Sequence, residues 1–159
     1  MLLPEMAQPG KSIRRAVLED LPEIISLIVD DGLGRGRDDA TLPLDDTYLR
    51  AFEILDADPN QLQAVLEIDG VVQGTMQLTF ITGLSRKGAT RCQIEGVRVA
   101  GSLRGQGLGR FMFEGAIAEA KTRGCTLVQL TSDKTRTEAH RFYASLGFEA
   151  SHEGYKRSL

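Results

Sequence analysis

Apolar residues alternate along some stretches of this chain and recur at three- and four-residue intervals along others. The switches between the two periods mark its elements. Residues 1–11 show neither period and read as a loose tail. Ile13 to Val17 reads as a first strand. Asp20-Leu21-Pro22-Glu23 then opens a helix, with Asp20 as N-cap and Pro22 in the first turn. Leu21, Ile24, Ile25, Leu27 and Ile28 give it a core face. Gly32 to Asp39 is a charged, glycine-rich loop, and Asp46 to Leu55 a second helix. Gln63 to Ile68 and Val71 to Ile81 are strands joined at Asp69-Gly70, a hairpin signal. After a polar loop from Gly83 to Thr90, Ile94 to Val99 reads as a fourth strand. Leu108, Phe111, Met112, Ala116 and Ala120 define a third helix, closed by Gly124. Thr126 to Thr131 is a fifth strand. Thr135 and Glu138 have capping-box spacing for a last helix that carries Ala139, Phe142, Tyr143 and Leu146 on one face. Phe148 to Lys156 reads as a final strand. The order β-α-α-β-β-β-α-β-α-β predicts an α/β fold with a mixed sheet, and the length of 159 residues predicts one domain, 1–159.

Between the fourth strand and the third helix stands Arg104-Gly105-Gln106-Gly107-Leu108-Gly109-Arg110. Glycine at every second position removes side chains and permits positive φ. Backbone N–H groups can then converge at a helix N-terminus, where the macrodipole favours an anion, and Arg104 and Arg110 add positive charge. A phosphate or pyrophosphate suits this loop. It is no Walker A loop, which needs Gly-Lys-Ser/Thr at its end. Nor is it a dinucleotide fingerprint, because Arg110 stands where the third glycine would fall and the loop comes late in the chain.

The loop resembles the Arg-Gly-x-Gly-x-Gly turn of the GNAT superfamily of acyl-CoA-dependent N-acetyltransferases. Ile94 to Val99 and Cys125 to Leu130 look like that family's fourth and fifth strands. Ala139-His140-Arg141-Phe142-Tyr143 followed by Leu146-Gly147-Phe148 looks like its last-helix signature. The clear resemblance covers about residues 90–156, and its final part from Gln129 onward is similar to aminoalkylphosphonate N-acetyltransferases. It implies a GNAT-type, mostly antiparallel sheet in which the fourth and fifth strands splay apart. It also implies acetyl-CoA as cosubstrate. Backbone groups of Val97, Arg98 and Val99 would pair with the pantetheine arm. The amides of Arg104, Gly105, Gln106, Gly107, Leu108, Gly109 and Arg110 would hold the pyrophosphate.

Acetyl transfer from a thioester to an amine needs the two reactants held together, a proton removed from an alkylammonium of pKa about 10, and a proton for the departing thiolate. By the same resemblance Tyr143 is the general acid. Glu95, the sole carboxylate of the fourth strand, is the candidate base, set against a solvent-facing or ion-paired carboxylate. Two departures stand out. Arg136 replaces an asparagine that contacts cofactor in the family, and would meet a CoA phosphate instead. Ala100-Gly101-Ser102 replaces an Asp-Pro turn.

Composition narrows the field. A net charge of −3 gives no support for nucleic-acid binding, although Arg86, Lys87, Arg91, Arg98, Arg104 and Arg110 cluster in one region. The two cysteines, Cys92 and Cys125, read as free thiols, and no metal-ligand cluster is evident. No apolar run reaches membrane-spanning length, and the N-terminus lacks a secretion signal, so a cytoplasmic protein is expected. The acceptor is expected to be the primary amine of a small molecule, and a homodimer remains an open expectation. Two alternatives stay open: a non-catalytic acyl-CoA-binding module, and a protein-lysine acetyltransferase.

Overall fold

Asp69 and Gly70 both adopt positive φ, 49° and 81°, which is the backbone twist that a tight hairpin demands. They turn β3 (Gln61–Ile68) into β4 (Val71–Thr82), the pair at the centre of the sheet. The computed structural model describes residues 2–32 and 36–159. Around that hairpin lie β1 (Leu2–Gln8), β2 (Lys11–Arg15), β5 (Thr90–Val99) and β6 (Leu127–Gln129), in the spatial order β1 to β6. Every neighbouring pair is antiparallel except β5 and β6, which are parallel.

The helices follow the apolar periods. α1 (Leu21–Val29) and α2 (Asp46–Ala57) cover one sheet face, where Leu21, Ile24, Ile25 and Phe52 meet Ala16 and Val65. α3 (Leu108–Thr122) covers the other, packing Leu108, Phe111, Met112 and Ala116 on Leu66, Met76, Leu78 and Ile94. α4 (Thr137–Ser145) flanks that second core through Phe142 and Tyr143. No helix among the described residues is long and apolar enough to cross a membrane.

Several elements differ from the sequence reading. The expected tail is strand β1, paired with β2 through a turn at Gly10. Its hydrophobic pattern is weak because it is a sheet edge, and Pro4 sits where the register breaks between Leu2 and Ala7. The expected final strand over 148–156 is absent, and residues 149–159 are exposed without regular structure. Only Phe148 packs on the core, and the polar residues after it have no apolar face to bury. The loop expected at Gly32 to Asp39 lies partly outside the described residues.

Of the two predicted caps, Thr135 is not at the cap position, and Asp20 is the N-cap of α1 without making a side-chain capping bond. Thr135 does not cap α4, which starts at Thr137 after Arg136 with no side-chain cap. Thr135 instead donates its amide and hydroxyl to Asp133, at 2.9 and 2.6 Å. This Asx-type turn lowers the Asp133 carboxyl pKa. Asp20 immediately precedes α1, but its carboxylate binds Arg14 at 2.6 and 2.9 Å and the Val17 amide at 2.8 Å. It therefore closes the short 3-10 turn Leu18–Asp20 and ties it to β2. Arg14 also reaches Glu67 on β3 at 2.8 Å.

The Arg14 hydrogen bonds hold the buried Asp20 carboxyl below the usual carboxylate range. A lowered folded pKa stabilises the fold above about pH 4, and that stability is lost as pH falls through the lowered value. Asp20→Ala should reduce unfolding free energy by about 2 kcal/mol at neutral pH, because it removes two charge-assisted hydrogen bonds from Arg14 and the acceptor of the Val17 amide, while Glu67 still holds the guanidinium. Urea denaturation should show the gap to the unsubstituted protein closing as pH falls below the carboxylate range.

Candidate active site

Two features of β5 open a cleft. Its pairing with β6 covers only Arg91↔Leu127, Cys92↔Val128 and Gln93↔Gln129. Beyond Gln93, β5 has no strand on that side among the described residues, so alternate peptide groups there lack ladder partners. On its other side, Gln77 pairs with Glu95 and Thr75 with Arg98, so two β5 residues oppose one on β4. The extra residue is a bulge, and Gly96 occupies it with φ of +61°. A bulge bends its strand and sharpens its twist, which turns the last residues of β5 away from β6.

The cleft beside this splay has a volume of about 630 Å³. Val97 and Val99 line it from β5, Arg104 and Gly109 from the glycine loop, Phe113 from α3, and Arg136 and Tyr143 from the start and body of α4. Its floor is aromatic. Tyr143 packs edge-on against Phe113, with centroids 5.7 Å apart, and against Phe148 at 6.3 Å. The Tyr143 ring is half-buried, and its hydroxyl is bonded to no described residue.

The glycine loop leads into α3 with Gly105 and Gly107 at φ of +79° and +78°. Gly107 is the N-cap, and the first helical bond runs from the Phe111 amide to its carbonyl at 3.1 Å. No acceptor among the described residues takes the amides of Gly105 to Arg110. Successive unpaired amides at a helix N-terminus fit the pyrophosphate of acetyl-CoA. The two arginines differ. Arg104 faces the cleft and lies 3.6 Å from the Asp30 carboxylate. The Arg110 guanidinium donates to Ser145 Oγ at 3.0 Å, at the C-terminal end of α4, so its side chain is engaged away from the loop.

The remaining candidates lie elsewhere. Arg98 points to the face opposite Val97 and Val99. It meets Asp31, at the end of α1, at 2.9 Å and donates to the Val97 carbonyl at 2.9 Å. Any role for Arg98 toward pantetheine is thus confined to its backbone. The pairing joins α1 to the bulge, and sequence reasoning missed it because an acidic pair after a helix reads as ordinary surface. Glu95 is exposed on the same face as Gln77, and forms no ion pair with a described residue. Phe113 was also missed as a cleft residue, since its helical position reads only as core. Among the described residues no group of three or more His, Cys, Asp or Glu is placed to hold a metal ion. Cys92 and Cys125 are free, and burial pushes the Cys92 thiol up to about 12.

The model of the acetyltransferase (GNAT) family matches residues 23–148. The chain belongs to this family, one of acetyl-CoA-dependent N-acetyltransferases. It is 43% identical to a transcriptional regulator from Bacillus halodurans C-125 of known crystal structure, with a TM-score of 0.91 over 94% of this chain and 99% of that one. It is 26% identical to a putative acetyltransferase from Agrobacterium tumefaciens C58, with a TM-score of 0.82 over 93% and 99% of the two chains. A stretch of 67 residues is 33% identical to the aminoalkylphosphonate N-acetyltransferase of Salmonella typhimurium LT2, covering 42% of this chain and 44% of that protein. The match thus spans under half the length of that curated relative. The sheet with its splayed β5 and β6 is the arrangement that the resemblance implies.

Acetyl-CoA should raise the melting temperature, with a stabilisation of about 2.7 kcal/mol at 100 times Kd. Gly107→Ala forces a Cβ onto a left-handed residue at a cost of about 1–2 kcal/mol. Differential scanning fluorimetry should therefore show both a lower starting melting temperature and a smaller acetyl-CoA shift in that variant.

Proposed function

We propose that the protein, acting as one acyl-CoA N-acyltransferase domain over residues 1–159, transfers acetyl from acetyl-CoA directly to a primary amine of a small molecule. One observation carries the reading. The strand splay, the unpaired amides of the glycine loop and the Tyr143 ring border a single cleft, while Glu95 stands exposed across the same strand. Val97 and Val99 orient the cosubstrate's arm along β5, and Arg104 and the loop amides hold its phosphates. Arg136, at the opposite wall, neutralises phosphate charge. Tyr143 Oη donates the proton that leaves with the thiolate. Glu95 takes the amine proton, directly or through water, and the nitrogen lone pair then attacks the thioester carbonyl. Two free thiols suit a cytoplasmic, reducing setting.

A second reading is a non-catalytic acyl-CoA sensor, favoured by the likeness to the Bacillus halodurans transcriptional regulator. Thiol release on an amine panel separates the two, because a sensor binds acetyl-CoA without releasing thiol faster than its background hydrolysis.

Tyr143→Phe should lower kcat by about 10²–10⁴-fold while the acetyl-CoA melting shift persists. Unchanged turnover would remove Tyr143 from the reaction. Glu95→Gln should lower kcat at neutral pH, with the deficit shrinking as pH rises toward about 10, where the amine deprotonates unaided. A pH-independent deficit would assign Glu95 a structural role.

A further inference from the structure

The sheet face that carries Glu95 is lined with neutral amides and hydroxyls. Gln77 and Thr79 on β4 donate to Gln61 on β3, at 3.1 and 2.9 Å. Gln63 donates to Thr75 at 2.7 Å. At the closed end of the slot between β5 and β6, Gln129 donates to Gln93. All five glutamines are half-buried. That bond joins the last paired residues of the two strands, so the Gln93–Gln129 clasp sits at the point where the strands part. Glu95 follows Gln93 on the same face, opposite Gln77.

The cosubstrate cleft, with Tyr143 and the glycine loop, occupies the other face of β5. An acceptor that delivers its amine to Glu95 therefore approaches from the glutamine face, through the slot. There it meets unused hydrogen-bonding capacity of both kinds. A glutamine amide has one carbonyl and two N–H donors. The clasp uses one N–H of Gln129 and the carbonyl of Gln93, leaving the Gln129 carbonyl and the Gln93 amino group for a ligand. The Gln77 carbonyl is likewise unused. Donors and acceptors side by side match hydroxyl or amide groups, which also both give and accept.

A dianion finds little here. Arg98 is already in contact with Asp31. Arg91 lies four residues before Glu95, about 13 Å along the strand, beside the closed end of the slot. A short aminoalkylphosphonate cannot reach from Glu95 to Arg91. We infer that the acceptor is a primary amine bearing neutral hydroxyl or amide groups within one or two carbons of its nitrogen, and that Gln93, Gln129 and Gln77 select it. This rests on the acetyl-transfer reading and gives that reading its substrate class. It separates this chain from the substrate named for its Salmonella relative.

The test is thiol release at saturating acetyl-CoA with serinol, glycinamide, propylamine and aminomethylphosphonate. Serinol or glycinamide should exceed both propylamine and aminomethylphosphonate in kcat/KM by about tenfold or more, the worth of one net hydrogen bond. Gln93→Leu and Gln129→Leu should raise KM for the preferred amine and erase its advantage over propylamine, with KM for acetyl-CoA unchanged. Retention of the acetyl-CoA melting shift shows that each variant is folded. If a variant does not fold, the same loss of preference is read in Gln77→Leu. Preference for aminomethylphosphonate, or variants with unaltered preference, would overturn the inference and leave acetyl transfer standing. No thiol release on any amine would overturn acetyl transfer itself, and the inference with it.

Discussion

Everything at the site depends on the parting of β5 from β6 immediately after Gln93 and Gln129. A parallel pair that continued would satisfy its own peptide groups and close the sheet. The bulge at Gly96 prevents this by inserting one residue into β5 and bending it. Three consequences share that cause. Peptide groups of β5 are left for a ligand. A cleft opens in front of Tyr143. The ladder between β5 and β6 ends there, which is where the proposed donor and acceptor would meet from the two faces of the sheet.

The surroundings hold the splay in place. Arg98, the residue after Val97, is drawn by Asp31 to the end of α1, and its guanidinium also binds the Val97 carbonyl. Asp31 Oδ2 and Arg98 Nε are buried without a directed hydrogen bond, so this contact is chiefly coulombic. Arg104 lies near Asp30 in the same way. The end of α1 thus touches both the bulged strand and the phosphate loop. On the far wall, Arg110 braces α3 against the last turn of α4 through Ser145, and Ser145 in turn donates to the Phe142 carbonyl at 2.6 Å. This fixes α4, and Tyr143 with it, relative to the helix that begins at the glycine loop.

Much of this was legible in the sequence. Periodicity located α1, α2, the β3–β4 hairpin and α3, because each has apolar residues at regular spacing that pack on the sheet or its neighbours. The glycine loop was legible because its chemistry needs a distinctive spacing. What escaped was set by tertiary context. β1 has little pattern because it is an edge strand, joined to the sheet through its ladder with β2. The Phe148 to Lys156 segment alternates briefly, but only Phe148 reaches the core and the residues after it are exposed. Thr135 and Glu138 have the right spacing for a cap, yet the Thr135 amide donates to Asp133 instead of Glu138. Gly96, isolated in a strand, was the one local sign of the bulge. The side-chain direction of Arg98 and Arg110 had no sequence signature, since each answers to a partner distant in the chain.

The proposed binding of the cosubstrate depends on peptide groups of β5 being left open by the splay. Amide hydrogen exchange measured with and without acetyl-CoA reads this directly. Residues 94–99 and 105–110 should gain protection on binding, while β3 and the paired part of β4 should not change. Protection confined to other segments, with 94–99 exchanging as before, would contradict it.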